Sequence, residues 1–187
     1  MPLNKAEKYA VRFLKLLDGW TLKANVAGSV RRRCDTVGDV EIVCVPQPLK
    51  DLSQLFIAGY KGMVVNGPRL KRFKYPDLNL QIELYITTEI DFGRIFAIRT
   101  GSSAYSHGKL AITWNRLGWC GSKDGLRRKA ECIHKGSTWI IKPEFEKDPT
   151  KPPPFYEEED FFKFLGLDWE DPRKRDWKSK EQKLNYS

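Results

Sequence analysis

Histidine is scarce in this chain, with only His107 and His134 present. Cysteine is sparse too, and Cys34, Cys44, Cys120 and Cys132 include no C-x-x-C pair. That spacing argues against a zinc ribbon or finger. Four scattered cysteines without a signal-peptide pattern fit a reducing compartment better than a disulfide framework, so a cytoplasmic location is expected. No apolar run approaches the ~18 residues of a membrane span, which removes a membrane partner from expectation. No internal repeat is visible. What remains is a mixed composition over 187 residues, with 41% hydrophobic and 12% aromatic side chains, enough to bury a core in one domain or two small lobes. The formal net charge is +9, and it is uneven. Residues 1–75 carry 14 Lys and Arg against 6 Asp and Glu, whereas residues 76–187 carry 19 against 18. A polyanion is therefore the partner to expect, bound by the first half.

That basic half contains the most informative stretch, residues 28–43. Gly28 and Ser29 open a short helix or turn whose bare amides suit a phosphate. Arg31, Arg32 and Arg33 follow, able to grip phosphate through paired hydrogen bonds. Asp39, Val40, Glu41, Ile42 and Val43 read as a strand. Alternate side chains share a face, so both carboxylates point one way with Cα atoms about 6.5–7 Å apart. A phosphate cradle beside two such carboxylates suits metal-assisted phosphoryl or nucleotidyl transfer.

The flanking chain supplies elements to hold this stretch. Asn4 and Glu7 look like a capping box, and Tyr9, Ala10, Phe13, Leu14 and Leu17 recur at helical spacing up to Gly19. Residues 21–27 alternate as a strand leading into Gly28. Residues 49–58 read as a short amphipathic helix ending at Gly59, and 63–66 as a short strand. Residues 69–75 read as an edge strand. Its Arg69, Lys71, Arg72 and Lys74 are candidates to line nucleic acid, although an edge strand also uses such charges to block unwanted pairing. Residues 79–87 alternate cleanly, with Leu80, Ile82, Leu84 and Ile86 on one face and Asn79, Gln81, Glu83 and Tyr85 on the other. Glu83, mid-strand among apolar neighbours, must be solvated, paired or metal-bound. Residues 88–98 read as a helix broken by Arg99-Thr100-Gly101-Ser102-Ser103, and residues 104–117 as the next helix. A turn-rich segment with two or three short strands covers 119–142, a Pro-rich loop 143–154, and a helix 157–165. The stretch 171–187 reads as a charged, frayed tail, with Arg173, Lys174 and Arg175 solvated.

Taken together, Gly28-Ser29-x-Arg31-Arg32, then Gly38-Asp39-x-Glu41 on a strand, Ile82-Glu83-Leu84 on another, and Thr100-Gly101-Ser102 opening a helix 17 to 19 residues after Glu83 resemble the X-family DNA polymerases, the polymerase beta-like nucleotidyltransferases. The resemblance covers nearly all of residues 4–175. It implies an α+β fold: a nucleotidyltransferase palm over residues 1–100, with a mixed sheet flanked by helices, and a small α/β thumb-like subdomain over 101–187. It implies that Asp39, Glu41 and Glu83 hold two Mg²⁺ or Mn²⁺ ions. Gly28, Ser29, Arg32 and Gly38 would bind the nucleotide phosphates, with Thr100, Gly101 and Ser102 under its sugar and base. Ser106, His107 and Lys109 would face template and nascent base pair. The implied reaction adds dNMP to a primer 3′-hydroxyl, as a monomer filling gaps in DNA during repair, with deoxynucleoside triphosphates and primer–template or gapped DNA as partners. A template-independent transferase and an inactive nucleic-acid-binding homologue are the alternatives. Two departures stand out. Glutamate replaces the usual aspartate at 41 and 83, and Ile98-Arg99 replaces the aromatic pair that commonly precedes Thr-Gly-Ser.

Overall fold

The computed structural model describes residues 1–57, 62–75, 80–122, 125–136 and 138–178. The expected helix exit at Gly59, Asn79, the Lys123–Asp124 part of the turn-rich segment and the tail beyond Lys178 lie outside the described residues. Nine strands and seven α-helical segments are described, in an α+β arrangement. The main sheet has five strands: β1 (Thr21–Val26), β2 (Asp39–Pro46), β3 (Met63–Asn66), β4 (Leu70–Tyr75) and β5 (Leu80–Ile86). Their order across the sheet is β1-β2-β5-β4-β3, and the central pair β2 and β5 is parallel while every other pair is antiparallel.

Helix α1 (Leu3–Leu17) covers one face of this sheet because Ala6, Ala10, Phe13 and Leu17 fall on one stripe. They pack against Val40, Ile42, Cys44, Phe73, Ile82 and Leu84, all buried. The expected capping box is absent. The cap is Pro2, whose carbonyl takes the amides of Lys5 and Ala6, so neither Asn4 nor Glu7 is needed there. The short helix expected over 49–58 contracts to α3 (Gln54–Ile57) within the described residues.

The other face is divided. At one end Val43, Val45 and Tyr85 are covered by Phe92 and Phe96 of α4 (Phe92–Thr100). At the other end stand Asp39, Glu41 and Glu83. Desolvating carboxylates is costly, so an apolar helix gains nothing by extending over them. A 3-10 turn, Glu89–Asp91, precedes α4, and α4 itself runs through Thr100 rather than breaking at Arg99. Strand β4 is interior, not an edge. Its outer side is paired by β3, a four-residue strand too short and weakly patterned to signal that role.

The remaining helical run comprises α2 (Gly28–Arg31), α5 (Ser103–Tyr105), a π-helical turn (Ser106–Ala111) and α6 (Ile112–Arg116). Two hairpins follow, β6 (Trp119–Ser122) with β7 (Gly125–Arg128), and β8 (Cys132–Lys135) with β9 (Thr138–Ile141). Helix α7 (Glu158–Phe164) is closed by a capping box between Glu157 and Asp160. A separate core joins Ala97, Tyr105, Leu110, Trp114, Trp119, Leu126, Phe155, Phe161, Phe162 and Leu165. Among the described residues no helix is long and apolar enough to cross a membrane.

Candidate active site

The parallel pairing of β2 with β5 sets Asp39 opposite Gln81 and Glu41 opposite Glu83. Side chains in register on neighbouring strands share a face, so the three carboxylates anticipated from sequence occupy one face of the central pair. Strand β4 places Arg72 directly across from Glu83 on that same face. The site is thus an acidic cluster at the start of two parallel strands, with a cation on the adjoining strand.

The three acids are not equivalent. Glu83 is nearly buried, and both of its oxygens are engaged. Arg72 Nε donates to Oε1 at 2.7 Å and Gln81 Nε2 at 2.8 Å, while the Tyr85 hydroxyl donates to Oε2. Burial and that bond to Glu83 raise the Tyr85 hydroxyl's pKa well above its usual value. Burial also raises Asp39, reinforced by the charge of Glu83. Glu41 is pushed up to about 7, first by burial and then by the charge of Asp39, with Arg99 opposing the shift. Grouped carboxylates of this kind call for positive charge.

As the side chains stand, no group of three or more His, Cys, Asp or Glu among the described residues is placed to hold a metal ion. Glu83 is turned to Arg72, Gln81 and Tyr85 instead. The donor chemistry nevertheless fits a hard divalent cation: carboxylate oxygens share one face, and burial together with the neighbouring acids raises the pKa of Asp39 and Glu41. Asp39 and Glu41 would hold such an ion without repacking the sheet. Glu83 would join them by exchanging its hydrogen bonds.

Glu41 carries a pH prediction. Its folded pKa lies above the ordinary 4.5, so between about 4.5 and about 7 the metal-free folded chain retains a proton that the unfolded chain has lost. Stability from this group therefore falls as pH rises through that window and levels off above it. Glu41→Gln should flatten the decline, a difference on the order of 2 kcal/mol between pH 5 and pH 8. Urea midpoints measured in EDTA at both pH values test this. Equal pH slopes in the two proteins would contradict it.

The phosphate-binding expectations resolve unevenly. Gly28 starts the one-turn helix α2 with φ +59°, and a Cβ there would lie 2.0 Å from Glu41 Oε2. Only glycine leaves room for that carboxylate. Gly28→Ala should lower stability by about 1–2 kcal/mol and push Glu41 out of place. The melting temperature should decline, and a wild-type melting point would refute the packing argument. Ser29 is half-buried and Gly38 exposed. Arg32 donates from Nε to Asp176 Oδ1 and from Nη1 to the Thr100 carbonyl, both at 2.9 Å, which commits part of its guanidinium to the fold.

The Thr100-Gly101-Ser102 turn is likewise tied down. Thr100 is fully buried and its Oγ1 accepts from Arg31 at 2.6 Å. Gly101 packs so closely that a Cβ would lie 2.6 Å from the Tyr105 ring. Ser102 donates to the Trp177 carbonyl and caps α5 through the Tyr105 amide. Of the residues expected to face template, Ser106 donates to the Ile98 carbonyl and Lys109 pairs with Glu170 at 2.8 Å, while His107 is exposed. Of the basic residues on and beside β4, Arg69 and Lys74 are exposed and Arg72 is held by Glu83. Lys71 is 5% exposed and lies on the α1 side, its ammonium bonded to Ser53 and Asn66. Strand alternation sends it away from Arg72.

Several residues here carry no signal in the sequence. Glu158, 3% exposed, accepts from Arg31 at 2.7 and 2.8 Å and from Arg175 at 2.7 and 3.3 Å, with a further bond from Trp169. Arg175 is wholly buried, which corrects the solvated tail expected at 173–175. It lies over Phe162 and Trp169 and donates to the Glu170 carbonyl. Arg99, half-buried, stacks on Tyr85 at 3.8 Å. No periodicity marks any of these. The nearest cue is the run Glu157-Glu158-Glu159-Asp160 between Phe155 and Phe161, which does not say which of the four acids is buried. No protein-family model matches this chain, and no curated protein matches it significantly.

Proposed function

We propose that this protein is a metal-dependent nucleotidyltransferase that adds dNMP to a primer 3′-hydroxyl, a small DNA polymerase suited to filling gaps in repair. In this reading residues 1–100 act as a palm and the remainder as a thumb-like subdomain. The observation that carries it is the register of β2 with β5, which gathers Asp39, Glu41 and Glu83 on one face of the sheet, with Glu41 against Gly28. Asp39, Glu41 and Glu83 would hold two Mg²⁺ or Mn²⁺ ions, which, when bound, polarise the phosphoryl oxygens and favour a nucleophilic alkoxide. Glu83 would receive the proton of the 3′-hydroxyl after giving up its bonds from Arg72, Gln81 and Tyr85. Arg32 keeps Nη2 for a phosphate, and Gly28 brings bare backbone against it. Exposed Arg69, Lys74 and His107 supply positions for contact with the DNA backbone.

A one-nucleotide gap, labelled dNTP and Mg²⁺ or Mn²⁺ at low salt make the test. Incorporation is expected, faster with Mn²⁺ because Glu41 and Glu83 carry an extra methylene and Mg²⁺ tolerates little distortion. No incorporation with either metal overturns the reading. Incorporation that persists without the template strand points to a template-independent transferase. One observation favours a second reading: Glu83 is saturated by three protein donors. In that reading the chain binds nucleic acid without chemistry, and it predicts DNA affinity indifferent to divalent metal.

A further inference from the structure

Buried polar side-chain atoms without a hydrogen-bond partner are rare among the described residues, and Arg99 Nε is one. Such a donor costs stability unless something meets it. The guanidinium cannot easily turn away, because its carbon lies 3.8 Å from the centroid of the Tyr85 ring and the plane is held against it. Tyr85 in turn donates to Glu83. The Arg99 charge also reaches Glu41, whose carboxylate rests against Gly28. Arg99 is therefore within electrostatic reach of the carboxylate that packs against Gly28.

The arginines that the sequence offered for phosphate are differently employed. Arg31 is spent on Glu158 and Thr100, Arg33 pairs with Glu7 at 3.4 Å on the surface, and Arg32 gives two nitrogens to Asp176 and the Thr100 carbonyl. Arg99 is the one of these four with a buried donor left unmet, and it also lies over Tyr85 within electrostatic reach of Glu41. The geometry points to Arg99 as the residue that receives a phosphate group of a nucleoside triphosphate, an assignment that rests on the nucleotidyl-transfer reading. A planar fork matches phosphate oxygens in pairs, and a phosphate brought beside carboxylates needs a cation alongside it. Stacking on Tyr85 pre-orients that fork, so little side-chain entropy is lost on binding.

The test is calorimetric titration of the full chain with dATP, inorganic tripolyphosphate and deoxyadenosine, in EDTA and again with Mn²⁺, for wild type, Arg99→Gln and Arg99→Lys. Wild type should bind dATP and tripolyphosphate in competition. Arg99→Gln should weaken both by about tenfold to a hundredfold, the range for a charge-assisted hydrogen bond. Arg99→Lys, which keeps the charge without the fork, should fall between. In primer extension Arg99→Gln should raise KM for dNTP far more than it lowers kcat. Unchanged affinity in Arg99→Gln, a lower melting temperature with unchanged KM, or no binding by wild type overturns the assignment. If deoxyadenosine alone competes as well as dATP, the contact is to sugar or base and the phosphate assignment falls. Should wild type incorporate nucleotide while Arg99→Gln keeps its KM, Arg99 is a structural counter-ion and transfer stands. Should incorporation fail while tripolyphosphate binding depends on Arg99, transfer falls and the anion site stands.

Discussion

On the nucleotidyl-transfer reading, replacement of Asp39 by alanine should abolish primer extension, by at least about a thousandfold, while leaving the fold intact. The two halves of that outcome have separate causes. Asp39 opens β2 on the uncovered face, half-buried, whereas Val40 and Ile42 on the other face carry the strand's packing against α1. Truncation therefore leaves no cavity in the core. It also removes a like charge from beside Glu41 and Glu83, so metal-free stability should hold or rise slightly. Turnover should vanish because Asp39 and Glu41 are the acids not already saturated by protein donors, and one of the pair cannot hold a divalent cation as two do. Asp39→Asn keeps the shape and removes the charge, and should be nearly as inactive. DNA affinity, by contrast, should be unchanged or tighter, since a negative charge has left the surface. Gap filling, a melting curve and a DNA titration read the three effects. Turnover retained by Asp39→Ala would show that these acids do not hold the reacting metal.

The largest loss of stability should come from Glu158→Ala, about 3–5 kcal/mol, a melting temperature lower by roughly 10 °C or more in a chain of this size. Five hydrogen bonds converge on this carboxylate, and removing it strands the fully buried guanidinium of Arg175. A buried charge deprived of its partner costs more than the partnership was worth. The effect should reach the site. Arg31 binds Glu158 and Thr100 together, and the Arg175 carbonyl accepts the Ser102 amide, so α2 and the 100–102 turn are joined through this carboxylate. Burial alone would raise the Glu158 pKa, but the bonds from Arg31 and Arg175 outweigh it and hold the carboxyl below its ordinary range. Its contribution is accordingly full above about pH 4.5 and fades as pH falls through the depressed folded value. Glu158→Gln should lose less stability than alanine and should flatten the acid limb of the stability curve. An unaltered acid limb would place the network's stabilisation elsewhere.

Much of this architecture is legible in the sequence. The α1 stripe, the alternation of β5 and the acids of β2 each follow from local periodicity, because a helix or a half-buried strand must present its apolar side chains at a fixed spacing. The turn before α5 is legible too, since Ser102 caps that helix with its own hydroxyl. Elements without a strong local pattern are not. The Asn4 and Glu7 pattern matched a capping box, yet Pro2 caps α1, because the path of the preceding chain decides which carbonyl lies over the first turn. Strand β4 looked like an edge from its charges, yet β3 pairs outside it.

Within the candidate site the division follows the same line. Local spacing alone puts Asp39 on a face with Glu41, and Gln81 with Glu83 and Tyr85, since each set lies on one strand at a spacing of two. That β2 and β5 are adjacent, parallel and in register at Glu41 and Glu83 follows from the assembled fold, because strand order and register come from the packing of both faces at once. Only the tertiary structure turned Arg72 toward Glu83 and Lys71 away, buried Arg175 beneath Glu158, and laid Arg99 on Tyr85. Those are long-range pairings of charge, and no local spacing encodes which of 33 basic side chains will meet which of 24 acids. They are settled when desolvation forces each buried charge to find a partner.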